Sequence, residues 1–588
     1  MSFVCNEPKS RAFHVTVPSC VAIRSHTAET ELDTTMSRLS SIISLCILVS
    51  LVSSISSYQY DVVIYGTTPA AITAAIQITR MGKTVAIVGP ETHIGGLTTS
   101  GLGWTDCKNS KAIGGIARQF YQKIYYYYLN NSTWTSENRS HYIARRIGAQ
   151  PGPAIDEKNG VQWTFEPKVA EKVFETWMKA GKIPIYRGEY LNRKKGATIV
   201  QNNTIQSFTT LSGKTFQASV FIDAGYEGDL MAAAGISYRV GRDSADDYQE
   251  PLAGKRVTID DGYKGVDPYV IKGNVTSGLL FGIETVVNLT SPNHFTGSAD
   301  PVRLQSFNFR LSLTQFKNNS IPFTRPSGYD ATRYELLLRY LEAGLKSDFT
   351  TQLMPNGKTD SNSQGRISFD LLGGNYDWKK GTSYSEASYD KRKEMYDHHR
   401  DWQSGLLYTL SNDERVPASL RKRISSWGYA RDEFIDNDHW PYQLYVREAR
   451  RMNGEFNLIQ HDAQHPHHYS NDTTIGLASY SLDSHVVRRV VVDGHIYDEG
   501  GFYFNNPTFP IPYGCMLPVS SEITNFLNPV TLSASHVAFG SVRMEPTYMI
   551  LGQAAGTAAV HAIEEGKGVQ SIDRQKLYDR LKKDGQSL

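Results

Sequence analysis

Apolar positions cluster first at Val62, Val63 and Ile64, a short continuous run closed at once by Gly66. An unbroken apolar run of this length predicts a parallel strand buried on both faces. Pro69 suits the first turn of a helix, where its missing N–H costs nothing. The small and apolar residues from Ala70 to Arg80 continue that helix, and Val85–Val88 supplies a second buried strand. Further helices are predicted over residues 113–129, 167–180, 334–343, 445–452, 549–564 and 574–583. Residues 198–222 alternate and contain turn residues, which predicts hairpin strands. A strand then ends in a second glycine turn at Ala224-Gly225. Residues 236–470 change character, with frequent aromatics, interrupting prolines and loops rich in Asn, Gly, Ser and Asp. The pattern divides the chain into a leader (1–57), a first α/β part (58–235), an inserted mixed α+β substrate or cap domain (236–470) and a returning part (471–588).

Strand, tight turn, helix, strand and Gly-Gly loop follow one another in YDVVIYGTTPAAITAAIQITRMGKTVAIVGPETHIGG, residues 60–96. That order places a dinucleotide's pyrophosphate on a helix N-terminus. The Gly-x-Gly-x-x-Gly/Ala fingerprint is met by Gly66 and Ala71 but carries Thr68 at its middle position. The Thr68 hydroxyl could donate to phosphate in place of a bare backbone. An acid that holds a ribose hydroxyl belongs at the end of the second strand. This chain has Gly89 there, and Glu91 is the nearest replacement.

Several ordered segments extend the pattern: GLTTSGLGWTD (96–106), IGGIARQFY (113–121), FEPKVAEKVF (165–174), FIDAGYEGDLMAAAG (221–235), Asp483-Ser484-His485, SASHVAFGSVRMEP (533–546) and GQAAGTAA (552–559). With them the chain resembles the FAD-dependent oxidoreductase family that has a glutathione-reductase-like FAD-binding fold. It is most similar to a poorly characterised branch with a Gly-x-Thr-Pro-Ala-Gly turn. The resemblance runs from Tyr58 onward and implies an α/β, Rossmann-like FAD-binding domain split in sequence. It makes Thr68 ordinary and leaves Gly89 as a departure, because relatives carry Glu there. It implies FAD as the cofactor, with Gly66, Thr68, Pro69, Ala70, Ala71, Glu91, Gly95, Gly96, Ala224, Gly225, Gly552 and Gln553 as cofactor-binding residues.

The chain is long enough for two domains at 588 residues, and its composition is 40% hydrophobic and 20% charged, as in globular proteins. A net charge of +2 gives no argument for nucleic acid or membrane surfaces. From Met36 the leader reads as a secretory signal: Arg38, an apolar run over residues 42–52, then serines. That run is too short to span a bilayer comfortably. Sequons at Asn130, Asn131, Asn138, Asn202, Asn274, Asn288, Asn318 and Asn471 fit a glycosylated protein of the secretory or lysosomal lumen. Outside the leader only Cys107 and Cys515 remain, enough for one disulfide but not for a redox pair or a thiolate zinc site.

Flavin carries its own redox chemistry, so the protein must supply a base, a charge partner and a dry pocket. His485 and His536 stand beside small polar residues and are candidate bases. Arg543 could neutralise an anionic substrate or a reduced flavin. Arg447, Arg450 and Arg451 would share one face of the helix predicted over 445–452, either a clamp for a substrate anion or, more commonly, a solvated or ion-paired face. Glu227 is a second candidate for ribose, and His93 stands just before the Gly-Gly loop. The run His461, His465, His467, His468 has no standard metal spacing and reads as a solvated loop. The expected activity is oxidation of a small organic substrate by hydride transfer to flavin, with oxygen or another acceptor reoxidising it. Two other readings are a secreted binding protein that has lost turnover, and a carbohydrate-active lyase with a non-redox flavin.

Overall fold

Strand β1 (Ser57–Tyr65) lies at the centre of the main sheet because both its faces are covered: Val62, Val63 and Ile64 have no exposed surface. The computed structural model describes residues 56–287, 297–466 and 473–588. The leader, two sequon asparagines (Asn288 and Asn471) and His467 and His468 lie outside the described residues. Helix α1 (Pro69–Arg80) follows the Gly66 turn, with the proline in its first turn, and leads to β2 (Val85–Val88). Helices α2 (Gly115–Tyr128) and α3 (Pro167–Ala180) come next, then β3 (Ile185–Tyr186). The expected hairpin strands are β4 (Thr198–Gln201), β5 (Thr204–Thr209) and β6 (Thr215–Asp223).

Strand order is β3-β2-β1-β6-β5-β4. The first four are parallel, and β5 and β4 run antiparallel. The front half of β6 pairs with β5, while Phe221 and Ile222 near its end pair in parallel with β7 (Phe526–Leu527). The chain thus returns to the first sheet after the long middle region, and residues Ser57–Leu588 cluster as one compact unit.

Middle-region helices include α4 (Glu335–Glu342) and α5 (Tyr389–Asn412), a 24-residue helix capped by the Ser388 side chain. The last part carries α6 (His536–Val542), α7 (Glu545–Glu565) and α8 (Arg574–Lys583). Helix α7 lies against α1 at backbone distance. A β-carbon on Gly552 would come within 2.2 Å of the Ala70 carbonyl oxygen, and one on Gly556 within 2.6 Å of that of Ala74. Thr73 Oγ1 donates to the Met549 carbonyl at 2.8 Å across the same contact.

Residues 445–452 are not a helix. Arg450–Met452 is a strand paired antiparallel with Tyr238–Val240. The segment's arginines do not face water but are ion-paired, as one of the two commoner readings had them. Arg447, Arg450 and Arg451 are all buried, and each meets a different acid: Asp370 at 3.0 Å, Asp229 at 2.8 Å and Asp243 at 2.9 Å. Helical spacing put three cations on one face, whereas tertiary ion pairs draw them apart. Cys107 and Cys515 are free and buried, so the single disulfide does not form.

Candidate functional site

Gly66 leaves β1 with φ +101°, and a β-carbon there would lie 2.4 Å from the Gly225 nitrogen. The two glycine turns are therefore in backbone contact, which only glycine allows. Thr68 is the N-cap of α1 but makes no side-chain cap. Its hydroxyl donates to the Ala224 carbonyl at 2.7 Å, tying the turns together rather than facing a phosphate. With no side chain capping the first turn, the backbone N–H groups of α1 are left for an anion.

A cavity of about 380 Å³ opens over these turns, lined among others by Tyr65, Gly66, Glu91, His93, Gly96, Ser100, Gly225 and Glu227. Glu91 folds back over Gly89 and accepts from Thr67 Oγ1 at 2.9 Å. Burial, then the neighbouring Glu227 carboxylate, pushes Glu91 up to about 7. Across the cavity stands α5, presenting Tyr389, Arg392, Lys393, Tyr396, Asp397 and Arg400. Arg392 makes a two-pronged pair with Asp229, at 2.6 and 2.8 Å, and so joins α5 to the short helix Asp229–Ala233 that follows the second glycine turn. This wall was missed in the sequence, although its i, i+3, i+4, i+7 spacing is visible there.

Gly95 and Gly96 both have positive φ, and Gly96 lies under the Tyr226 hydroxyl. That hydroxyl accepts from Leu97 N at 3.0 Å and donates to Glu545 Oε1 at 2.7 Å. Thr98 Oγ1 donates to the other Glu545 oxygen at 2.8 Å, so the Gly-Gly loop is anchored to the N-terminus of α7. Burial pushes Glu545 up to about 7 against these hydrogen bonds. Two residues expected at the cofactor have protein neighbours. Gly552 serves the α1–α7 contact, and Gln553 accepts from Ile116 N at 2.7 Å. Small residues on a helix look alike in sequence whether they face a ligand or another helix.

The three candidate catalytic residues share one polar network. Arg543 donates to Asp483 Oδ2 at 2.8 Å and to the Tyr445 hydroxyl at 2.9 Å. His485 Nε2 lies 3.8 Å from the same Asp483 oxygen, and its Nδ1 meets Asp370 at 2.7 Å. Burial notwithstanding, Arg447 and His485 hold Asp370 well below the usual carboxylate range. His536 is more remote. It is buried, with Nδ1 on Glu448 at 2.8 Å and Nε2 without a hydrogen-bond partner among the described residues. Gln305 links it to the others, donating to Glu448 and accepting from His485 N at 3.1 Å. His485 is partly open to a second cavity, also about 380 Å³, lined by Asp370, Asp483, Phe502 and Tyr503. Beside the network, burial lifts Asp106 to about 6 against the pull of Arg310.

Among the described residues, three carboxylates come close enough to hold a metal: Glu166, Asp432 and Glu433. Lys358 Nζ sits among them at 2.6, 2.8 and 2.6 Å, filling the place a cation would take. His461 and His465 have rings 4.9 Å apart. No described helix is long and apolar enough to cross a membrane.

A family model described as FAD dependent oxidoreductase matches residues 61–581. The chain belongs to the FAD-dependent oxidoreductase family. It is a redox flavoenzyme of α/β class, and FAD is its cofactor. No curated protein sequence matches it. Solved structures similar to parts of it include OxyS anhydrotetracycline hydroxylase from Streptomyces rimosus, at 12% identity and TM-score 0.22, over 32% of this chain and 36% of that one. L-amino acid deaminase from Proteus vulgaris matches at 14% identity and TM-score 0.21, over 34% and 53%. A Tyr258Phe mutant of NikD, described as an unusual amino acid oxidase, matches at 16% and 0.20, over 32% and 57%. The chain thus spans between about a third and three fifths of those proteins. For an FAD-dependent oxidoreductase the first cavity has the right parts: bare glycine turns in contact, an uncapped helix start and an acid beside the second strand's end.

Proposed function

We propose that this flavoenzyme oxidises a small organic substrate that enters the second cavity, and that it works in the secretory or lysosomal lumen. FAD, when bound, supplies a two-electron acceptor that takes a hydride from the substrate. The glycine turns and the start of α1 would hold its pyrophosphate, and Glu91 or Glu227 its ribose. The observation that carries the reading is the chain His485–Asp483–Arg543, which runs from the cavity wall to a buried guanidinium. His485 is oriented by Asp370 on its Nδ1, and its Nε2, at 3.8 Å too far from Asp483 for a hydrogen bond, would accept the substrate proton. Arg543, with Tyr445, offers positive charge that the surrounding protein keeps dry. His536 positions Glu448 and, through Gln305, the backbone of His485.

Support for the lumen comes from the sequons. All six described asparagines, Asn130, Asn131, Asn138, Asn202, Asn274 and Asn318, are exposed. Glycosidase treatment of protein from a eukaryotic secretory host should increase its gel mobility; unchanged mobility counts against this location.

Anaerobic screening of the purified yellow holoprotein tests the activity. A substrate should bleach the visible flavin absorbance and be recovered oxidised. Correctly folded protein that cannot be loaded with FAD would overturn the reading.

A further inference from the structure

His93 stands at the rim of the dinucleotide cavity with both ring nitrogens on carboxylates. Nδ1 lies 2.7 Å from Glu171 of α3, and Nε2 lies 3.1 Å from Asp436. The ring is stacked on Tyr442, with centroids 3.5 Å apart and planes 5° from parallel. Tyr442 in turn donates to Asp436 at 2.5 Å. Asp436 and Tyr442 belong to the segment 434–444, whose Asn437, Tyr442, Gln443 and Leu444 line the same cavity. This segment includes three non-glycine residues with positive φ: Phe434, Asp438 and His439. It forms one edge of the cofactor cavity, fixed by the buried Trp440 and Leu444 and by Tyr396 and Arg400 of α5, and its outer part meets the loop after β2 at the His93 imidazole.

Protonation decides how many of those contacts survive. An imidazolium has two N–H donors and can satisfy both carboxylates, whereas a neutral ring has one donor and leaves one carboxylate facing a lone pair. We propose that His93 is a proton-controlled latch that holds the outer part of 434–444 at the edge of the FAD cavity and sets how fast the cofactor is exchanged. The proposal rests on the first cavity being the FAD site. The groups facing the latch are Glu171 from α3, Asp436 and the Tyr442 hydroxyl from that segment, Arg187 on the Thr92 carbonyl at 2.7 Å, and Arg400 of α5 on Asp438 at 3.0 Å. Burial works against the charged ring, but Glu171 and Asp436 outweigh it and raise His93 above its usual 6.5. The latch is therefore closed in acid and loosens as pH rises.

The test measures FAD dissociation from holoprotein by recovery of flavin fluorescence, between about pH 5.5 and pH 9. Wild-type protein should release FAD about three to five times faster at the alkaline end, the scale of one partly exposed ion pair. His93→Gln should release it fast at every pH and flatten most of the profile. Whatever slope persists belongs to Glu91, which titrates in the same range. Asp436→Asn, at an exposed position, should give an intermediate profile without loss of folding. A flat wild-type profile, or a His93→Gln profile as steep as wild type, overturns the latch. Either result leaves FAD binding itself measured, so it is distinguishable from failure of the cofactor assignment.

Discussion

Glu91 carries the carboxylate that Gly89 lacks: a β-carbon built on Gly89 would lie 2.9 Å from Glu91 Oε2 and 2.7 Å from the Thr67 methyl. An acid at either position would reach the same space, so the two should exchange. Glu91→Gln should weaken FAD binding by roughly tenfold, the scale of one charged hydrogen bond. Gly89→Glu alone crowds two carboxylates together and should weaken it as well. The double variant Gly89→Glu, Glu91→Ala should regain affinity in a fluorescence titration. Failure of the double variant to bind better than either single one would show that Glu91 does not act on the ribose.

Gly66→Ala should yield protein without flavin. Its φ of +101° is strained for alanine, and the new methyl would strike Gly225 and Ala224. The strain alone is on the order of 1–3 kcal/mol. A flavin-to-protein ratio and a melting curve check this; a fully loaded variant with wild-type stability would contradict the contact.

His485 and His536 should separate by kinetics. His485→Gln should lower kcat by about 10²- to 10⁴-fold with FAD content unchanged, as loss of a general base does. His536→Gln should mainly lower the melting temperature, because it disturbs a buried pair with Glu448. The reverse pattern would exchange their roles.

Acid should stabilise the cofactor-free protein. Burial pushes Glu91, Asp223 and Glu545 up to about 7 and Asp106 up to about 6. Each binds its proton more tightly folded than unfolded. Its contribution is complete below about pH 4 and is lost as pH climbs through those values. His399, lowered to about 4, acts the other way between about 6.5 and 4, but the acids outnumber it. The melting temperature should fall by on the order of 5 °C from pH 5 to pH 7.5. A rise over that interval would mean that these carboxylates are ionised at little cost.

The first βαβ unit was legible because its signals are local. A buried apolar run, a glycine turn and a proline at the helix start are read within about twenty residues, and α3 and α8 match their expected ranges for the same reason. The segment 445–452 failed because its fate is set at long range: strand pairing with Tyr238–Val240 and three separate acids outweigh a helical pattern. His485 stood out in the sequence beside small polar residues, and Arg543 as a cation shortly after His536. Asp370, which orients one of them, sits in a loop with no pattern of its own, and only folding brings it to 2.7 Å from the imidazole. Thr68 was placed correctly at the turn, yet its hydroxyl found a carbonyl across the sheet instead of an anion.

Helix α5, drawn from the middle of the chain, forms one wall of the first cavity, the proposed nucleotide chamber, and is bolted to Asp229, just past the second turn, by Arg392. The central region is therefore part of that chamber's wall and not a separable cover. Any chimera that trades its central region for a relative's exchanges part of the coenzyme's housing along with the substrate's, and a new specificity must be grafted without that helix or lose the flavin with it.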